Sequence, residues 1–172
     1  MLQLTFRRIL LAAGVMTLFA CGIAAAQDKT IILVRHVEKD TSATADKTDP
    51  ELSQAGRDRA LALVKRAGKY KPDAIYSTNF KRTRDSVKPL ADKRKKTVQI
   101  YDPANQQKLV DEIMASNIKK FLIVGHANTI PALANLIAKK EIFKQLSEAE
   151  FGVIWVIKIK DGKVDKMEIL GY

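Results

Sequence analysis

Cysteine is nearly absent: the 172 residues hold one, Cys21. It lies in an N-terminal stretch with the marks of a targeting segment, so a chain shortened after Ala26 has no thiol. That would exclude disulfides, thiolate metal sites and a cysteine nucleophile together. Histidine is almost as scarce. The two present, His36 and His126, make a poor metal site without thiolates beside them. Five prolines and eight glycines form no tract, and no repeat or linker interrupts the chain, which reads as one globular domain. Aromatic residues make up 6% with a single Trp, which gives little support to a base-stacking surface around the basic run Lys93-Arg94-Lys95-Lys96. Acidic residues are too few to balance the basic ones, and the formal charge is +11. Arg7 and Arg8 are the charged residues of the first 26, so the remainder carries two units less, +9. Such a surplus favours anionic partners: phosphoesters, nucleic acid or an anionic membrane surface.

Residues 1–26 read as an export signal. Arg7 and Arg8 form the positive region, Ile9 to Ala20 the apolar stretch, and Ala24-Ala25-Ala26 a small-residue cleavage site, giving a mature chain from Gln27. Two other readings stay open. Ile9–Ala26 carries no charge and is just long enough for an uncleaved anchor. Leu18-Phe19-Ala20-Cys21 resembles a lipoprotein box in which Cys21 is lipidated, although Phe19 departs from it. The expected location is periplasmic, with membrane attachment only through such an anchor.

From residue 27 onward short apolar runs alternate with amphipathic ones. Thr30–Val34 reads as a strand covered on both faces. Ser53 caps a helix that carries Ala60, Leu63, Val64 and Ala67 at helical spacing and ends at Gly68. Asp73–Ser77 is a strand and Asn79–Asp92 a helix that Pro89 is expected to kink or divide. Thr97–Tyr101 is a strand, Gln106–Asn117 a helix, and Phe121–Val124 a buried strand. Thr129-Ile130-Pro131 opens a further helix. Ser147 and Glu150 have capping-box spacing over a short turn. Val153–Lys160 and Lys163–Leu170 form a hairpin around Asp161-Gly162. This order argues for a three-layer α/β/α sandwich around a mostly parallel sheet closed by a C-terminal antiparallel hairpin. Ligands of such sheets bind beyond the carboxyl ends of the strands.

Both histidines fall there. Arg35-His36 follows one buried strand and Gly125-His126 another. A neutral imidazole can attack phosphorus to give a phosphohistidine that water hydrolyses, and Arg35 beside it can fork onto two phosphate oxygens. Nearby cations disfavour imidazolium and keep His36 nucleophilic. The helix that opens after His126 adds backbone donors for an anion. No metal or other cofactor is called for.

At this point the sequence resembles the histidine phosphatase superfamily, also called phosphoglycerate mutase-like. Four blocks carry the resemblance in order. They are Leu33-Val-Arg-His-Val-Glu38, Asp49-Pro-Glu-Leu-Ser-Gln-Ala-Gly-Arg57, Tyr76-Ser-Thr-Asn-Phe-Lys-Arg-Thr-Arg-Asp-Ser86 and Val124-Gly-His-Ala-Asn-Thr-Ile-Pro131. The resemblance implies His36 as nucleophile, with Arg35, Arg82 and His126 binding the phosphoryl group. Arg82 is singled out by its place in the third block, five residues after Ser77. Val37 stands where the family has glycine, and a branched side chain there is expected to narrow the pocket floor or disfavour the local bend.

The general acid is less defined. One branch of the family places an aspartate directly after the second histidine, where this chain has Ala127. Another uses a glutamate in an inserted segment, replaced here by the short Tyr101–Asn105 connection. Asp102 and Glu38 are the candidates. Asp102 before proline also reads as an ordinary turn residue, and Glu38 as structural or at the pocket rim. The chain lacks cap-forming insertions and resembles the short phosphohistidine phosphatases. The expected activity is therefore a phosphomonoesterase of broad specificity acting on a phosphorylated small molecule or phosphoprotein. A phosphohistidine protein phosphatase and a non-catalytic phosphate-binding module are the alternatives. Nucleic acid is not an expected partner.

Overall fold

The computed structural model describes residues 27–172, so the expected targeting segment and Cys21 lie outside the described residues. Six strands form one sheet: β1 (Lys29–Arg35), β2 (Ala74–Ser77), β3 (Val98–Ile100), β4 (Lys120–Gly125), β5 (Val153–Lys160) and β6 (Lys163–Gly171). Four helices connect them: α1 (Gln54–Gly68), α2 (Lys81–Arg94), α3 (Gln106–Ala115) and α4 (Thr129–Ala138). The strand order is β3-β2-β4-β1-β5-β6. The first four run parallel, and β5 and β6 are antiparallel. This is the expected mostly parallel sheet with its C-terminal hairpin.

The layers follow from the two-residue period of the strands. On β1, Ile31 and Leu33 join the core made with Leu109 and Ile113 of α3 and Ile130 and Leu133 of α4. Ile32 and Val34 point the other way, to Leu63 of α1 and Val87 and Leu90 of α2. With helices on both faces, β1 and β4 are apolar throughout, which explains why neither shows alternation in sequence.

Local chemistry sets the helix ends. The Ser53 hydroxyl accepts from Gly56 N at 3.1 Å and caps α1 as expected. Gly56 is there because α1 presses against the chain just after β1, where a Cβ would collide with the carbonyl of Glu38. Helix α2 starts two residues later than the sequence suggests. Phe80 is extended, and the missing cap is supplied from afar by Asp49, whose carboxylate accepts from Lys81 N at 2.9 Å. Pro89 lies inside α2 without dividing it. Val37 also departs from expectation. Its φ is not in the left-handed region, and it is fully buried with Leu52 and Ala60 in a small apolar cluster. The methyls that replace glycine thus fill a gap beside α1.

Candidate phosphoryl-transfer site

The site is assembled by one register pair. Arg35 at the end of β1 lies opposite Gly125 at the end of β4, so His36 and His126 leave the sheet side by side. His36 N donates to Gly125 O at 2.9 Å, and the ring centroids are 5.4 Å apart at 67°. Gly125 leaves the room this needs, since a Cβ there would stand 2.8 Å from both Thr129 Oγ1 and Tyr101 Oη.

The hydrogen bonds assign both tautomers. His36 Nδ1 lies 2.8 Å from Val37 O, an acceptor only, so Nδ1 carries the proton and Nε2 keeps its lone pair. His126 Nε2 lies 3.0 Å from Thr78 Oγ1. The Thr78 hydroxyl gives its proton to Thr83 Oγ1, and Thr83 gives its own to backbone carbonyls of residues 78 and 80. Thr78 must therefore accept, and the His126 proton sits on Nε2. The two rings are opposite tautomers.

Burial holds both neutral. Desolvation, aided by the Arg35 and Arg82 charges and opposed by the Val37 hydrogen bond, brings the His36 pKa from 6.5 to about 3. Desolvation, then Arg82 and Arg35, brings His126 to about 4.

Two phenylalanines flank the pair. Phe151 lies 6.2 Å from the His36 ring, with the Arg35 guanidinium stacked on it at 4.2 Å. Phe80 lies 5.3 Å from His126 with Arg82 stacked on it, also at 4.2 Å. Arg82 faces Asp49 at 3.7 Å. Arg35 is only 3% exposed. Its Nη1 donates to Ser147 O at 2.6 Å and Glu150 O at 2.8 Å, and its Nη2 meets Glu148 Oε2 at 3.1 Å. Its Nε is buried with no partner.

The two acid candidates are engaged elsewhere. Glu38 is held by Arg59, its Oε1 2.7 Å from Nη2 and both its oxygens accepting from Nε. Burial opposes the charge of Glu38, but the Arg59 contacts outweigh it and the pKa falls below the usual range. Asp102 is exposed in the turn after β3 and accepts from Ala104 N at 2.9 Å. Three strand spacings separate β3 from β1, about 14 Å at about 4.8 Å each.

Sequence reading missed the supports. Ser86, fully buried on α2, accepts from Val37 N at 2.9 Å and donates to Arg82 O at 2.6 Å. It thereby ties the loop after His36 to the turn carrying Arg82. Thr78 and Thr83 were visible within the third block but carried no sign of their relay. The segment after α4 supplies Phe151 and the carbonyls around Arg35. It is pinned by Asn135, which accepts from Ile142 N and Phe143 N, and by Leu146 N donating to Ala127 O. Ser147 and Glu150 realise half the capping box there, Glu150 Oε2 accepting from Ser147 N at 2.6 Å, over a turn and not a helix.

Residues 31–103 match the sequence profile of the histidine phosphatase superfamily, branch 1. Over those residues, less than half of the chain, the sequence is similar to that superfamily of phosphatases. Among solved structures, a SixA protein histidine phosphatase complexed with tungstate superposes with a TM-score of 0.67 at 12% identity, over 83% of this chain and 96% of that one. The mycobacterial glucosyl-3-phosphoglycerate phosphatase gives 0.64 at 16% identity, over 84% and 98%. A SixA-type putative phosphohistidine phosphatase from Agrobacterium tumefaciens gives 0.61 at 20%, over 83% and 99%. At these identities the likeness is one of fold. Among curated protein sequences none matches.

Proposed function

We propose that the protein is a phosphomonoesterase that works through a phosphohistidine on His36. The observation that carries this is the tautomer pair: His36 presents an unprotonated Nε2 in a site shared with the buried Arg35 and the half-buried Arg82. In the first step Nε2 bonds to phosphorus and the bond to the leaving atom breaks, oxygen in a phosphomonoester and nitrogen in a phosphohistidine. Water then attacks the phosphohistidine, releasing phosphate and the free imidazole. Arg82 meets the phosphoryl oxygens once Asp49 is displaced, and the unpartnered Nε of Arg35 supplies a further donor. His126 completes the anion pocket.

Arg59 holds Glu38, and Asp102 accepts within its own turn, so the reading favours substrates whose leaving group departs with little help. Aryl phosphates and phosphohistidine fit that description. We also place the protein outside the cytoplasm, on the sequence of residues 1–26 alone.

The test is hydrolysis of p-nitrophenyl phosphate by the wild type and by His36→Ala. We expect turnover that resists EDTA and falls at least about a thousandfold in the variant. Turnover that survives the substitution overturns the covalent route. Phosphate binding without turnover in the wild type would favour the binding module, the alternative reading.

A further inference from the structure

The basic surplus is gathered at one end of the molecule. β1 and β4 begin, and β5 ends, at the sheet edge opposite the histidines, where Thr30 pairs with Lys120 on one side and Lys158 on the other. Lys29, Lys119, Lys120, Lys158 and Lys160 line one open depression there, with Asp28 and Asp165 its acids. Helix α2 ends beside it. Arg94 reaches Pro72 O at 3.4 Å and Asp73 at 3.8 Å, while Asp73 N donates to Lys120 O at 2.8 Å. The run Lys93–Lys96 therefore extends the same face, with Lys93, Lys95 and Lys96 exposed. Among the described residues, Lys93, Lys95, Lys96, Lys119, Lys158 and Lys160 have no carboxylate within ion-pair distance. At the site end, by contrast, Glu38, Asp49, Glu148 and Glu150 stand among the arginines.

Helix polarity accounts for basic residues in a last turn, which covers Lys93 and Arg94 but not lysines on strand ends. We propose that this basal face docks on a bilayer rich in anionic lipid, leaving the histidines turned to solvent. Charge complementarity is the first support, since lysines on a surface of this kind add attraction to an anionic leaflet. The second is where the chain enters. In the uncleaved chain the uncharged stretch Ile9–Ala26 precedes this face in sequence, separated from Lys29 by Gln27 and Asp28. Lysine point charges with no exposed aromatic among them suit a diffuse anionic surface better than nucleic acid, which calls for stacking platforms.

The experiment is co-sedimentation of the full chain with phosphatidylglycerol-containing vesicles and with pure phosphatidylcholine vesicles. The quadruple variant Lys93→Glu, Lys95→Glu, Lys119→Glu, Lys160→Glu runs in parallel. It keeps residues 1–26, so any difference reports the face alone. We expect at least about tenfold tighter binding to the anionic vesicles, weakening as salt rises, and loss of that preference in the variant at an unchanged thermal midpoint. Equal binding to both vesicles, an anionic preference retained by the variant, or tighter binding to duplex DNA than to anionic vesicles overturns it. Catalysis is not involved, so the result is independent of the phosphohistidine reading.

Discussion

His36 is a nucleophile candidate because of what surrounds one nitrogen. The Val37 carbonyl accepts a hydrogen bond from Nδ1–H, and burial holds the ring neutral down to about pH 3. A histidine with the ordinary value of 6.5 would lose nucleophile through protonation just below neutrality. In this site the loss is displaced to much lower pH. With the ionisation of the substrate allowed for, kcat/KM should hold between pH 7 and 5, its acid limb falling below that range. An acid limb centred near 6.5 would show that the ring is not desolvated in the free enzyme. The histidines and Arg35 were legible in sequence because each abuts an apolar run. The tautomers were not, because they depend on a carbonyl and on a hydroxyl chain from Thr78 to Thr83, which no side-chain pattern announces.

At the scale of elements, Ser86 is the tie between β1 and α2. Replacing it with Ala leaves Val37 N, a buried donor, without a partner, which costs on the order of 1–3 kcal/mol. It also frees the loop after His36 from the turn bearing Arg82. Ser86→Ala should therefore lower the urea midpoint and reduce kcat by about tenfold or more, while a Ser86→Thr variant that keeps the hydroxyl recovers part of both. Unchanged kcat with lowered stability would leave Ser86 a packing residue only. The order of strands and helices was readable because apolar runs, Ser53 and Asp161-Gly162 mark it locally. Two things were not. Asp49 caps α2 across 32 residues of chain, which hides the true helix start. The segment from Lys139 to Gly152 has no period, so its passage over Arg35 rests on backbone carbonyls, which every residue has. Pro89 misled for the opposite reason: a local rule about helix breaking gave way to the packing of Val87 and Leu90 against the sheet.

Across the whole molecule, burying two neutral imidazoles links stability to pH. In the unfolded chain each histidine titrates near 6.5; in the fold the values are about 3 and about 4. Between those limits the unfolded state holds more protons, so stability falls as pH drops through 6.5 and goes on falling toward the folded values. The urea midpoint should be lower at pH 5 than at pH 7, and His36→Asn should flatten that slope. A wild-type midpoint that does not change over this interval would refute the linkage. The pairing of Arg35 with Gly125 has a further consequence. A slip of one residue between β1 and β4 would turn one histidine to the opposite face of the sheet. These two strands lie in the interior of the sheet, with β3 and β6 at its margins. Fraying at either margin leaves the histidines in step. The alignment of the reacting groups is thus set by the same hydrogen-bond ladder that closes the middle of the sheet, and it should be among the last features to disappear as the domain opens.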